Sequence, residues 1–258
     1  MSRRRSDKVT VWISMKRIQQ TLFGALLLAL LIIVVTYEIP SAKTSSSTWS
    51  LPLAGKIIAL DAGHGGPDGG AVSRQGVIEK DVNLAITLYL RDYLQQAGAL
   101  VILTREGDYD LAAENTKGYS KRKTEDLKQR VRKIEESKAD LFLSVHLNSI
   151  PSNRWSGAQT FYPPNSEDSK KLAELIQEEI RRNLENTQRL AKTDETIYLL
   201  QALRIPSALV EVGFLSHPQE SELLRDEKYQ RKVAASVYNG ILRYSSGESI
   251  SKSSQAAE

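Results

Sequence analysis

The residues with the clearest potential for chemistry are two histidines and two glutamates spread along the chain. His64 lies in the glycine-rich stretch DAGHGGPDGGA, directly after the apolar run KIIAL, and His146 lies in SVHLNS. Glu79 begins an amphipathic segment, and Glu211 lies inside the apolar run ALVEVGF. Because the chain has no cysteine, a metal site must use imidazole and carboxylate ligands, and disulfide bonds are excluded.

Two histidines and one carboxylate can form a zinc site that has three protein ligands and one open position. The expected ligands are His64, Glu79 and His146. Bound zinc polarises a carbonyl group and lowers the pKa of a water molecule, and hydrolysis also needs a group that moves the water's proton to the leaving amine. Glu211 is the expected acid/base, because a carboxylate in an apolar strand is costly unless it is paired or functional.

These residues also have structural interpretations. A histidine after a strand is often a turn residue, and Glu79 could simply complement the positive end of a helix. Asp61, at the end of the apolar run that precedes His64, is interpreted as a group that braces the turn or supports a ligand. Asn148 follows His146 by two residues, and it either contacts substrate or orients its loop.

The glycine-rich stretch has a phosphate-binding alternative. GHGGPDGG does not match the pattern G-x-x-x-x-G-K-[ST], and no lysine follows at the required position, so phosphate binding is the weaker hypothesis. Within the stretch, Asp68 is interpreted as a turn residue. The third histidine, His217, precedes Pro218 and is expected to cap or pack in a turn.

The elements that position these residues alternate between strands and helices, which is typical of an α/β domain with a mostly parallel sheet. Sites in such sheets form beyond the carboxyl ends of strands. The predicted strands are 56–61, 100–105, 140–146, 157–163 (at an edge) and 207–214, and the predicted helices are 79–98, 125–139, 166–184 and 228–244. Residues 106–124 show no helical or strand-like periodicity of apolar residues, which predicts either a loop over the site or a solvated insertion.

The basic charge of the chain is local to its N-terminus. Residues 1–20 hold six basic residues and one acidic residue, whereas the rest of the chain has 29 basic and 30 acidic residues, so no nucleic-acid-binding face is indicated. The fifteen residues Leu22–Thr36 carry no charge, which indicates a membrane segment with its N-terminus inside. A buried core helix is the alternative.

These patterns predict the organisation of the chain. We expect a basic cytoplasmic segment at 1–20, a membrane anchor or signal sequence at 21–38 and a serine-rich linker at 39–52. A folded domain follows at 53–245, and a flexible tail at 246–258. An uncleaved anchor is favoured over a cleaved signal, and in both cases the chain from residue 43 onward lies outside the membrane.

Five motifs, in order, resemble those of the zinc-dependent N-acetylmuramoyl-L-alanine amidases of the amidase-3 type. They are LDAGHGGPDGGA, EKDVNLAITLYLRDYL, ILTR, SVHLNS and ALVEVGFLSHPQE, and the resemblance extends from Lys56 to Tyr244. It implies a central twisted, six-stranded sheet flanked by helices. It also implies one zinc ion at His64, Glu79 and His146 and a catalytic glutamate at Glu211. Many relatives have asparagine at the position of His217.

The segments ENTKGYSKRKTEDLKQRV and WSGAQTFY, together with the short N-terminal segment, resemble the germination-specific members of this family in endospore-forming bacteria. The resemblance implies hydrolysis of the amide between N-acetylmuramic acid and L-alanine in spore cortex peptidoglycan, as a step towards muramic-δ-lactam and germination. It places the protein in the forespore or spore envelope, extracytoplasmic and either membrane-anchored or secreted.

Two other functions stay open at this point. One is a membrane-tethered module that binds peptidoglycan without cleaving it, although this sequence retains all four key residues. The other is an amidase that is inactive without an activating protein partner.

Overall fold

The computed structural model describes residues 14–36 and 51–248. Most of the predicted basic segment, the linker and the C-terminal tail lies outside the described residues. The chain divides into two compact units, Met1–Trp49 and Ser50–Glu258. The first contains helix α1 (Met15–Thr36), in which Met15–Val34 is long and apolar enough to cross a membrane. A signal sequence would pass the same test, so the anchor remains a prediction.

The second unit is built on a six-stranded sheet with the order β2-β1-β3-β6-β4-β5. The contacts β1–β2, β1–β3, β3–β6 and β4–β5 are parallel, and β4 runs antiparallel to β6. The mostly parallel sheet of the sequence-based prediction is therefore confirmed. The strands are β1 (Ile57–Ala62), β2 (Leu100–Leu103), β3 (Leu141–Asn148), β4 (Gln159–Tyr162), β5 (Lys192–Thr193) and β6 (Ser207–Phe214).

Helices cover both faces of this sheet. They are α2 (Glu79–Gln96), α3 (Tyr119–Ser137), α4 (Glu167–Leu184), α5 (Tyr198–Ala202), α6 (Pro218–Arg225) and α7 (Glu227–Ser245). Successive side chains of a strand point to opposite faces, so Leu143 of β3 packs with α2, α4 and α7, whereas its neighbour Phe142 packs with α3 and α5. Strands buried on both faces give the continuous apolar runs of the sequence.

The structure corrects two expectations. The segment 157–163 was predicted to be an edge strand, but β4 is one strand from the edge, and the two-residue β5 occupies the edge itself. A strand that short has no periodic pattern to detect. The segment 106–124 is not irregular throughout, because α3 begins at Tyr119 and leaves a loop over 106–118.

Candidate metal centre

The turn after β1 folds back on itself and fixes His64. The backbone N–H of Gly65 donates to the carbonyl of Asp68 at 2.9 Å, and the N–H of Asp68 donates to the carbonyl of Gly65 at 3.1 Å. His64 itself has a φ of 65°, in the left-handed region that residues with a Cβ rarely adopt. Its Nδ1 lies 2.9 Å from Oδ2 of Asp68. Asp68 is thus a turn residue, as predicted, but it also orients the imidazole, a role that the sequence interpretation missed.

Glu79, the first residue of α2, reaches back to this turn and across to β3. Its Oε2 accepts a hydrogen bond from the N–H of Ala71 at 2.9 Å, and its Oε1 accepts one from the N–H of Leu147 at 3.1 Å. The same Oε1 lies 3.1 Å from Nε2 of His64 and 3.2 Å from Nδ1 of His146. A single carboxylate therefore joins the turn, the helix and the central strand.

Two glycines allow this close approach. A Cβ on Gly63 would lie 2.2 Å from Cε1 of His146. Gly70 has a φ of +67°, and a Cβ there would lie 2.6 Å from Oε2 of Glu79 and 2.7 Å from Cδ2 of His64. All three contacts are shorter than van der Waals distance, so the three side chains can meet only because these positions carry no side chain.

The donor set fits a zinc ion. His64, Glu79 and His146 each offer one ligand atom, and these atoms lie within 4.8 Å of one another. Zinc binds imidazole nitrogen and carboxylate oxygen at 2.0–2.2 Å, so tetrahedral ligands of one ion lie roughly 3.3 Å apart. The 3.1 and 3.2 Å separations from Oε1 to the two nitrogens agree with this spacing. Asp68 would hold the remaining nitrogen of His64, as carboxylates commonly do behind a ligating histidine.

The side chains of this cluster shift one another's pKa values. Burial alone would raise the pKa of Glu79, but its contacts with His146 and His64 outweigh burial and lower that pKa below its usual range. Burial would lower the pKa of His64, but Asp68 and Glu79 raise it to about 9. Glu79 and the two histidines are therefore closely coupled electrostatically.

Glu211 lies on β6 directly beside His146 of β3 in the parallel register. Its Oε2 atom is buried and has no hydrogen-bond partner among the described residues. Burial raises the pKa of Glu211 to about 7, and the nearby charge of Glu79 acts in the same direction. A carboxylate with a pKa near neutrality can both accept and return a proton at physiological pH.

Asp61 lies beneath the cluster in a buried polar network. It accepts hydrogen bonds from Thr104 Oγ1 at 2.7 Å and Ser144 Oγ at 2.6 Å, and it pairs with Arg130 at 2.6 Å. Burial would raise the pKa of Asp61, but the charge of Arg130 leads the effects that lower it to about 2. Arg130 also donates to the carbonyl of His64 at 2.5 Å, so these contacts agree with the interpretation of Asp61 as a bracing group.

The sequence interpretation did not identify the two arginines that support the turn. Arg130, from α3, is buried below it, and Arg105 is buried beside it. Arg105 donates to the carbonyls of Ala62 at 2.9 Å, Gly63 at 3.0 Å and Lys80 at 2.8 Å. The available signal for Arg105 was its place two residues after the end of β2, in ILTR. Arg130 had no comparable signal, because it lies in a helix rich in basic residues.

The loop 106–118 packs against the turn that carries His64. Asp108 accepts a hydrogen bond from the N–H of Gly66 at 2.8 Å and one from Nζ of Lys80 at 2.7 Å. At the start of α3, the hydroxyl of Tyr119 donates to Asp68 at 2.8 Å. These contacts favour the loop beside the site over a solvated insertion.

Asn148 and His217 are the remaining residues that the sequence analysis singled out. The register between β3 and β6 shifts after His146, and the carbonyl of Asn148 accepts a hydrogen bond from the N–H of Leu215 at 2.8 Å. A substrate contact for Asn148 stays a prediction. His217 caps α6, since its side chain accepts a hydrogen bond from the N–H of Glu220 at 3.2 Å, which confirms the capping role expected from the sequence.

Comparison with known proteins gives concordant matches. The family model described as N-acetylmuramoyl-L-alanine amidase matches residues 58–243. A germination-specific N-acetylmuramoyl-L-alanine amidase of Bacillus subtilis is 57% identical over 219 residues, which cover 84% of this chain and 92% of that protein.

Solved structures agree with the sequence matches. The CwlD amidase of Clostridioides difficile, solved in complex with the GerS lipoprotein, is 47% identical with a TM-score of 0.73, over 75% of this chain and 100% of that one. An N-acetylmuramoyl-L-alanine amidase of Clostridium difficile 630 is 29% identical with a TM-score of 0.66, over 75% and 98% of the two chains.

Proposed function

The chain belongs to the N-acetylmuramoyl-L-alanine amidase family, and on this premise we propose that it is a zinc-dependent amidase of spore cortex peptidoglycan. It cleaves the amide between the lactyl group of N-acetylmuramic acid and L-alanine, as a step towards muramic-δ-lactam and germination. The cortex role is supported by the 57% identity to the germination-specific amidase of Bacillus subtilis.

One observation carries the mechanism, namely the position of Glu211 beside His146 at the cluster formed with His64 and Glu79. These three residues would hold one zinc ion, which when bound polarises the substrate carbonyl and lowers the pKa of a water molecule. Glu211 accepts the water's proton as the water attacks the carbonyl carbon. As the C–N bond breaks, Glu211 returns the proton to the departing nitrogen of L-alanine.

The surroundings of Glu211 suit this proton transfer. Its buried Oε2 has no competing donor among the described residues, so no hydrogen bond occupies its lone pairs. The residues around the cluster keep its geometry, because Asp68 orients His64 while Asp61 and Arg130 brace the backbone below it. A preorganised site of this kind avoids the cost of rearrangement during the reaction.

The N-terminal helix supports an extracytoplasmic location. The span Met15–Val34 would serve as a membrane anchor, and the basic residues before it favour an N-terminus on the cytoplasmic side. The amidase domain would then lie in the forespore or spore envelope, where its peptidoglycan substrate is found.

A protein partner is part of the proposal, since the CwlD amidase of Clostridioides difficile is solved in complex with a lipoprotein. We infer a partner of this kind for the present chain, which would activate the amidase or position it at the membrane. A non-catalytic binding module is not favoured, because the candidate ligands and Glu211 are all present and adjacent.

The proposal is tested with the purified full chain in detergent, with and without added zinc. We expect one zinc per chain and the release of L-alanine amino groups from cortex peptidoglycan, and we expect His64→Ala to lose both. His217→Asn is the matched control, since asparagine also caps helices, and it should keep both. Hydrolysis that persists in the zinc-free protein would contradict the metal mechanism, and activity that requires an added partner would support the activation model.

A further inference from the structure

An exposed tryptophan lies near the candidate metal centre and has no role in the mechanism above. Trp155, in the segment WSGAQTFY, is 54% exposed. Four residues later, Gln159 begins β4 and pairs with Glu211 on β6. Four residues span at most about 14 Å, so Trp155 lies within that distance of the strand position opposite the candidate acid/base.

The indole is held from one side by an arginine. The guanidinium carbon of Arg189 lies 5.9 Å from the centre of the Trp155 ring and 5.3 Å from that of Phe214. Arg189 also donates to the carbonyls of Ser156 at 2.6 Å and Gly157 at 2.8 Å, the two residues that follow the tryptophan. The guanidinium therefore supports one face of the indole, and the exposure of the residue leaves the rest open to solvent.

A buried carboxylate fixes the same loop to the end of β6. Both oxygens of Glu220 accept from the N–H of Gly157, at 2.9 and 3.0 Å, and Oε2 also accepts from the N–H of Phe214 at 2.8 Å. A Cβ on Gly157 would lie 2.4 Å from the carbonyl oxygen of Asn186, so the loop is also closely packed. An aromatic side chain on a fixed loop binds a ligand with little loss of conformational entropy.

We propose that Trp155 is a stacking platform for a sugar ring of the glycan strand, next to the N-acetylmuramic acid whose amide is cleaved. The proposal rests on the proposed function, which makes a glycan the substrate. The negative face of an indole attracts the C–H groups that a pyranose ring presents. The acidic stem peptide fits this platform less well, because the exposed surface of the indole offers an apolar ring and not a charge.

Binding is tested by fluorescence of the full chain. The chain has three tryptophans, so the double variant Trp12→Phe/Trp49→Phe leaves Trp155 as the sole indole. The probe is a tetramer of β-1,4-linked N-acetylglucosamine, which carries no stem peptide, and maltotetraose is the control sugar. We expect a saturable change in emission with the tetramer alone. An emission that does not respond to the tetramer would overturn the proposal.

Kinetics provide a second test that separates this proposal from the proposed function. We expect Trp155→Ala to raise KM for glycan-length substrate about ten-fold with little change in kcat, the size of effect that loss of an aromatic stacking partner has in other binding sites. Trp155→Phe should restore part of the loss, and a single-sugar muramyl peptide should show no effect.

The control variant is Leu100→Ala, which removes an equally exposed apolar side chain at the start of β2, at the opposite end of the sheet. It should leave KM unchanged for both substrates. An equal rise in KM on both substrates with Trp155→Ala would contradict the sugar platform. If the unmodified chain releases no amino groups from peptidoglycan, the proposed function fails, and the fluorescence titration still decides whether Trp155 binds a glycan.

Discussion

Glu79, at the start of α2, and Glu211, on β6, have different hydrogen-bonding environments and opposite pKa shifts. Glu79 accepts hydrogen bonds from two backbone N–H groups and contacts two imidazoles, and its pKa is lowered. Glu211 lies on the neighbouring strand to His146, yet its buried Oε2 lacks a partner among the described residues, and burial raises its pKa to about 7.

This difference matches the roles proposed for the two residues, Glu79 as a metal ligand and Glu211 as the acid/base. A metal ligand has to stay ionised and fixed, which saturated hydrogen bonding provides. A group that moves a proton needs a pKa close to the working pH and a free lone pair. Glu79 and Glu211 are therefore suited to different roles, because backbone N–H groups donate to Glu79 and no group among the described residues donates to Oε2 of Glu211. The following predictions test this contrast, from the largest expected effect to the smallest.

Glu211→Gln should lower kcat for amide hydrolysis by about 10³-fold, because glutamine cannot transfer the proton. Bound zinc, measured by atomic spectroscopy, should remain at the wild-type ratio. In the metal-free protein at pH 8, the melting temperature should be equal or higher, since an ionised carboxylate no longer has to be buried. Glu79→Gln is the comparison variant and should lose zinc as well as activity. Near-normal turnover by Glu211→Gln would contradict its assignment.

Asp61→Asn should destabilise the fold by about 3–5 kcal/mol, because it leaves the buried Arg130 without its main counter-charge. Since the folded-state pKa of Asp61, about 2, lies below its ordinary value of 3.8, ionised Asp61 stabilises the fold above about pH 4. That stabilisation is lost as the pH falls towards 2.

Acid unfolding monitored by circular dichroism checks the Asp61 prediction. The difference in stability between wild type and Asp61→Asn should shrink over the interval from pH 4 to pH 2. Glu222→Gln, which breaks an exposed pair with Arg225, is the control and should change stability by less than about 1 kcal/mol. A constant difference across this interval would show that the charge of Asp61 is not what supports the turn.

Gly70→Ala should weaken zinc binding by about ten-fold or more, because the added Cβ meets both Glu79 and His64. Gly76→Ala is a matched control, since Gly76 also has a positive φ, of +81°, but its Cβ would meet open space. Both variants should lose about 1 kcal/mol of stability from backbone strain, and only Gly70→Ala should lose zinc affinity in a competition titration. Equal zinc affinities would contradict the close approach at Gly70.

Much of the fold followed from local patterns. Continuous apolar runs and helical periods depend on neighbours within a few residues, so they predicted the principal strands and helices and the mostly parallel sheet. The rule that sites form at the carboxyl ends of strands then selected His64, Glu79, His146 and Glu211 as candidates before any contact was known. The long apolar helix α1 likewise followed from length and composition alone.

The sequence by itself thus determined which side chains were available for chemistry and on which elements they lie. Only the tertiary structure decided which carboxylate is saturated with donors, that Asp68 holds His64, and that Arg130 reaches the turn from a helix 66 residues away. It also decided that β4 lies inside the sheet beside Glu211 rather than at its edge. These features depend on hydrogen bonds and strand registers between residues far apart in sequence, which no local period encodes.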